Sequence, residues 1–126
     1  MTDWVTERSQ CSPALVFEKL KSDIEKDVKL RNAILPSGSP YAFRLDISSD
    51  HLIVLLDGVA GNHSVALSLS GKFIIATSSN GNLREIFKAT LTLDENQECK
   101  LKINGTEHNF WRVRQMLLED LFFNIV

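Results

Sequence analysis

Acid–base, thiol or metal chemistry in this chain would have to come from a short set of residues: His51, His63, His108, Cys11, Cys99 and the two charge pairs Asp27/Arg31 and Arg44/Asp46. A histidine works as a proton carrier or metal ligand when further groups converge on it. His51 follows Asp50 in a turn, His63 shares a loop with Asp57 and Asn62, and His108 stands at the start of the last apolar segment. A strand separates the first two turns, so the three histidines read as solvated and no metal site is expected. Cys11 and Cys99 are far apart, lie in no CxxC pattern, and have no neighbour in sequence that would stabilise a thiolate. Both are expected to be free thiols. Asp27 and Arg31, four residues apart, read as a boundary salt bridge with the Arg31 stem packed inward. Arg44 and Asp46 alternate on the polar side of a strand. There is no glycine-rich phosphate loop, HExxH, GxSxG or EF-hand loop in the sequence. No catalytic residue and no cofactor is assigned. An enzyme site scattered over Asp27, Arg31, Arg44, Asp46 and His63 is the weakest of three functional readings, because it needs those groups within hydrogen-bond reach.

Recognition of a nucleic acid would rest on Trp111, Arg112 and Arg114, with Arg84 and Lys88 elsewhere. Arg112 and Arg114 point about 200° apart on a helix. The net charge of −2 lacks the excess of cations that counterion displacement requires. No nucleic-acid partner is expected. With 44% hydrophobic and 24% charged residues, the composition suits a folded globular chain rather than a disordered one. The longest apolar runs are too short for a spanning helix, and no membrane partner is expected. The start, Met1-Thr2-Asp3-Trp4, does not resemble a secretory signal, so the expected location is cytoplasmic.

The elements that must position these residues form one domain over residues 1–126. Residues 1–11 are an N-terminal arm, extended or loosely docked. A helix is predicted over 12–35: Ser12 is its N-cap, Pro13 its first residue, and Val16, Phe17, Leu20, Ile24, Val28, Arg31 and Leu35 its inner stripe. On its wet side, Lys21/Glu25 and Glu25/Lys29 are spaced to pair. Pro36-Ser37-Gly38-Ser39-Pro40 ends it. From Tyr41 the apolar period becomes two, and residues 41–103 read as an antiparallel sheet of five to six strands joined by short turns. Leu52–Leu56 is apolar throughout and is placed centrally, with both faces covered. Residues 57–62 are a loop, Ser70-Gly71 a hairpin turn, and Asn104-Gly105 the close of the sheet. A last helix is predicted over 107–124, although Glu107-His108-Asn109 is also compatible with a short returning strand. The fold class is α+β: a curved antiparallel meander flanked by an N-terminal and a C-terminal helix. The expected core comprises Phe17, Leu20, Ile24, Val28, Phe43, Leu45, Val54, Leu67, Phe73, Ile75, Leu91, Leu101, Val113, Leu117 and Leu121.

That last helix is apolar over too wide an arc. Phe110, Val113, Leu117, Leu121 and Ile125 make one stripe, and Trp111, Leu118 and Phe122 a second beside it, with Met116 and Phe123 at the margins. A helix on a sheet shows a narrower stripe. The candidate binding residues are therefore Trp111, Leu118, Phe122, Phe123, Arg31 and Arg114. The leading functional reading is a small protein-interaction module, homodimeric through the C-terminal helix or a sheet face. The alternative is a small-ligand domain with an apolar pocket between sheet and helix, motivated by Phe43, Phe73, Phe87 and Trp111.

Overall fold

The computed structural model describes residues 3–57 and 63–124. The loop expected over 57–62 and the last stripe position, Ile125, lie largely outside the described residues. The order is α1 (Trp4–Gln10), α2 (Pro13–Ile34), β1 (Ala42–Ile47), β2 (His51–Asp57), β3 (His63–Ser70), β4 (Phe73–Ser79), β5 (Leu83–Leu93), β6 (Cys99–Ile103), β7 (Thr106–His108) and α3 (Phe110–Phe123). Strands pair antiparallel with their sequence neighbours, in the order β1-β2-β3-β4-β5-β6-β7. The class is α+β, a meander with helices at both ends, and the sheet has seven strands rather than five or six. The seventh comes from local turn chemistry. Asn104 and Gly105 take φ of 51° and 81°, the left-handed pair that a two-residue hairpin needs, and set Ile103 opposite Thr106. Gly71 supplies the same freedom, at φ 59°, between β3 and β4.

The long helix forms as its caps dictate. The Ser12 hydroxyl accepts from Leu15 N–H at 3.4 Å, Pro13 occupies the first turn, and the chain turns extended at Leu35, before Pro36. The N-terminal arm is itself helical: Asp3 accepts from Val5 N–H and from the Thr6 hydroxyl, and α1 runs from Trp4 to Gln10 without burying a residue.

Both helices lie on one face of the sheet. The register places Phe43, Leu52, Val54, Leu56, Val65, Leu67, Ile74, Ala76, Phe87 and Ala89 on a single side, and all are buried. Phe17, Leu20, Ile24 and Val28 of α2 close that core, with Val113, Leu117 and Leu121 of α3. Two expectations are corrected by this. Phe73 and Ile75 face the other side and are only half-buried, while Ile74 and Ala76 enter the core. Phe73-Ile74-Ile75-Ala76 is apolar at every position, so its period cannot choose a parity; pairing with β3 and β5 chooses it. Leu52–Leu56 is likewise not central and not covered twice. It is next to the edge strand, with Leu52, Val54 and Leu56 buried and Ile53 and Leu55 half-buried on the helix-free face. Leu45 and Leu91, expected in the core, pack against its margin.

Three ties, two polar and one covalent, fasten the layers. Lys21, assigned to the wet side of α2 with Glu25, is buried; it donates to the carbonyls of Ser48 and Ser49 at 2.8 and 3.3 Å and pairs with Glu18 at 2.8 Å. Its ammonium closes the β1–β2 turn against the helix. Asn32 closes the sheet edge. Its amide donates to the Phe43 carbonyl and accepts from the Phe43 N–H, both at 2.9 Å, so a side chain stands where a further strand would pair. Asn32→Leu keeps the branched shape of the side chain and leaves both backbone groups without this partner. A loss of about 1–3 kcal/mol is expected in urea unfolding, with a change below about 0.5 kcal/mol as the contrary result.

The third tie overturns a reading of the sequence. Cys11 and Cys99 are not free thiols; they form a disulfide with Cα atoms 5.5 Å apart, across 88 residues of chain. It joins the junction of α1 and α2 to the start of β6. The contact is a tertiary one, and neither residue carries a local pattern that announces it.

Candidate functional site

The C-terminal half of α2 and the length of α3 run side by side over the sheet and leave a groove between them. Its volume is about 410 Å³, and its lining includes Asp27, Leu30, Arg31 and Ile34 from α2 and Trp111, Arg114, Leu118, Phe122 and Phe123 from α3. Trp111, Leu118, Phe122, Phe123, Arg31 and Arg114, the six candidates named from the sequence, all fall here. They do different work. Leu118 and Phe122 are 4% and 6% exposed and form the floor. Their cover comes from the same chain, with the Phe122 ring 4.8 Å from that of Phe43. Trp111 and Phe123 are 58% and 62% exposed and form one wall. The other wall is Leu30 and Ile34, 62% and 65% exposed. The sequence reading missed this second wall. Leu30 and Ile34 are four apart and outside the inner stripe of α2, a spacing that could have marked a second apolar line.

The charged groups hold the helices at this spacing. Arg31 donates through Nε and Nη2 to the Phe122 carbonyl at 3.1 and 2.9 Å. That carbonyl is one of the last four of α3, which have no partner within their own helix, and α3 has no basic residue in its last turn. Arg31 thus caps α3 from α2, placing a cation at the negative end of its dipole. Its guanidinium also lies 4.9 Å from the centre of the Phe123 ring, which fixes that wall. Asp27 is not paired with Arg31, as the four-residue spacing suggested. It takes Arg114 of α3, with Nη1 at 3.2 and 3.1 Å from its two oxygens. A pairing between helices wins because Arg31 is already spent on the α3 terminus.

The acidity of Asp27 is displaced by its surroundings. Burial raises its pKa above the ordinary 3.8; Arg114 opposes the rise and Asp23 adds to it. The folded chain therefore holds this proton more tightly than the unfolded chain. As pH falls through the raised value toward 3.8, Asp27 adds stability, complete below 3.8 and absent at neutral pH. In melts over a pH series, wild type should gain on Asp27→Asn as the pH is lowered through this window. A gain in the opposite direction would mean that the Arg114 ion pair outweighs desolvation.

The remaining residues considered for chemistry are dispersed. Arg44 pairs with Asp57, and Arg44 and Asp46 lie on the helix-free face of the sheet, opposite the side that carries Asp27 and Arg31. His51 meets the Ser48 hydroxyl at 2.7 Å in the β1–β2 turn. His63 begins β3 on the helix-facing side, where it pairs with Leu56. Among the described residues, no three His, Cys, Asp or Glu side chains gather at one point. Of the aromatics proposed for a ligand pocket, Phe43 and Phe87 fill the core, Phe73 lies on the other face, and Trp111 is in the groove. A second cleft, of about 360 Å³, does open between the sheet and α3, but its lining is Val65, Ser78, Arg84, Glu85, Ile86, Met116, Leu117 and Asp120.

No protein family, curated protein or solved structure matches this chain. The geometry of the groove is therefore what a functional reading rests on. No helix among the described residues is long and apolar enough to cross a membrane.

Proposed function

We propose that this chain is a small protein-interaction module that self-associates through the face of α2 and α3. The observation that carries the reading is the set of four large apolar side chains, Leu30, Ile34, Trp111 and Phe123, all more than half exposed around one groove. Single exposed apolar residues are ordinary, but a contiguous cluster rimmed by charges marks a binding surface. Aromatic residues and an arginine at its centre are the types that dominate binding energies at interfaces. Arg31, its guanidinium held by the Phe122 carbonyl and against the Phe123 ring, is ordered before any partner binds.

Sedimentation velocity at tens of micromolar tests this. The expected result is a dimer that Leu30→Glu and Trp111→Glu each convert to monomer, with no change in the melting temperature of the monomer when wild type and variants are compared at a concentration where all are dissociated, since both side chains are exposed. A wild-type monomer throughout that range counts against self-association. The second reading, a small apolar ligand, is favoured by the groove volume alone, which falls within the range of about 300–1,000 Å³ common to ligand sites. In that case an aromatic probe would quench Trp111 in the monomer.

The location proposed from the sequence was cytoplasmic. The Cys11–Cys99 bond supports a different one, a compartment that keeps thiols oxidised, because structural disulfides are rare in a reducing cytosol. The mass of the native protein, alkylated before and after reduction, distinguishes the two.

A further inference from the structure

We propose that the occupant of the α2–α3 groove is helix α1 of a second copy of this chain, exchanged reciprocally across a two-fold axis. The inference rests on the self-association reading above and names the segment that enters the site.

Two surfaces of this molecule lack a partner, and they are complementary. The groove offers an apolar channel. Helix α1 offers Trp4 and Val5, both exposed, on a helix that buries none of its own residues. An isolated seven-residue helix is marginal in water, so α1 gains most from a site that covers it. A charge pair is open as well. Glu7 of α1 and Lys26 of α2, one turn before Leu30, each make no ion pair among the described residues and are of opposite sign.

The occupant cannot be the chain's own α1. The groove starts at Asp27, sixteen residues beyond Cys11, which is roughly 24 Å along a helix rising 1.5 Å per residue. Helix α1 spans only about 10 Å. Its hinge at Cys11 is fixed to β6 by the disulfide, at the opposite end of α2 from the groove. A second copy with its α2 running antiparallel removes the obstacle, because the start of one α2 then lies beside the end of the other. Each α1 reaches the partner's groove, and the same contact occurs twice in a closed dimer.

The test uses the full chain in sedimentation velocity with three changes. Trp4→Ser should weaken the dimer at least about tenfold with no shift in the melting temperature of the monomer, read at a concentration where the wild type is dissociated, since Trp4 is exposed there. Glu7→Lys should weaken it, and adding Lys26→Glu to that variant should restore association. An acetylated peptide of residues 3–10 should dissociate the wild-type dimer. If Leu30→Glu gives monomer while Trp4→Ser and the peptide leave association unchanged, self-association through this face stands and α1 is not its occupant. A wild-type monomer overturns both.

Discussion

Cys99→Ser should lower the stability of this protein by about 4–5 kcal/mol, a larger effect than that of any exposed substitution. The disulfide closes a loop of 88 residues, and removing so long a cross-link restores that much conformational freedom to the unfolded chain in the chain-entropy account. For a chain of this size the melting temperature should fall by roughly 10–20 °C. Reduction of the wild type should reproduce the variant, whereas the variant should not respond to reductant. Calorimetry with and without a dithiol reads both. A melting temperature insensitive to reductant would mean that the bond is not formed in solution. The bond ties the junction of α1 and α2 to β6 near the far edge of the sheet, so its loss also frees the hinge on which the proposed α1 exchange depends.

Phe122→Ala should cost about 3–5 kcal/mol, the range for removing a buried aromatic ring, while Phe123→Ala should cost less than about 1 kcal/mol. The two neighbours differ because the Phe122 ring packs on Phe43 at 4.8 Å beneath the groove, while Phe123 points out over Arg31 and is 62% exposed. Urea unfolding of both variants at a concentration that keeps the chain monomeric separates the readings. If Phe122→Ala proves as mild as Phe123→Ala, the Phe122 ring is not buried within the monomer. Under the proposed self-association the order should reverse, with Phe123→Ala weakening the dimer more than Phe122→Ala does.

These contrasts show where the residue pattern is informative. The inner stripe of α2 is legible because Val16, Phe17, Leu20, Ile24 and Val28 recur at helical spacing beside a wet face, and all five are buried. Strand β1 is legible because apolar and polar residues alternate there. The pattern fails at Phe73–Ala76 and Leu52–Leu56, where every position is apolar and either parity would satisfy it. It also misleads at Lys21, whose long stem carries a charge through the core margin to the Ser48 and Ser49 carbonyls. No spacing rule anticipates a backbone acceptor 27 residues away.

By itself the sequence determined the fold class, the Ser12 cap of α2, the Asn104-Gly105 turn and the excess of apolar surface on the last helix, because each depends on residues within a turn or two of one another; it started that helix at residue 107, where Thr106–His108 is strand β7 and α3 begins only at Phe110, and it left α1 unread. It also named Trp111, Leu118, Phe122, Phe123, Arg31 and Arg114 as one group. Only the tertiary structure decided which side of the sheet the helices share, that Cys11 meets Cys99, that Arg31 caps α3 while Asp27 holds Arg114, and that Leu30 and Ile34 supply the second wall. Those outcomes depend on how two distant helices settle over one curved sheet. Local propensity does not fix that arrangement; packing of the whole core does.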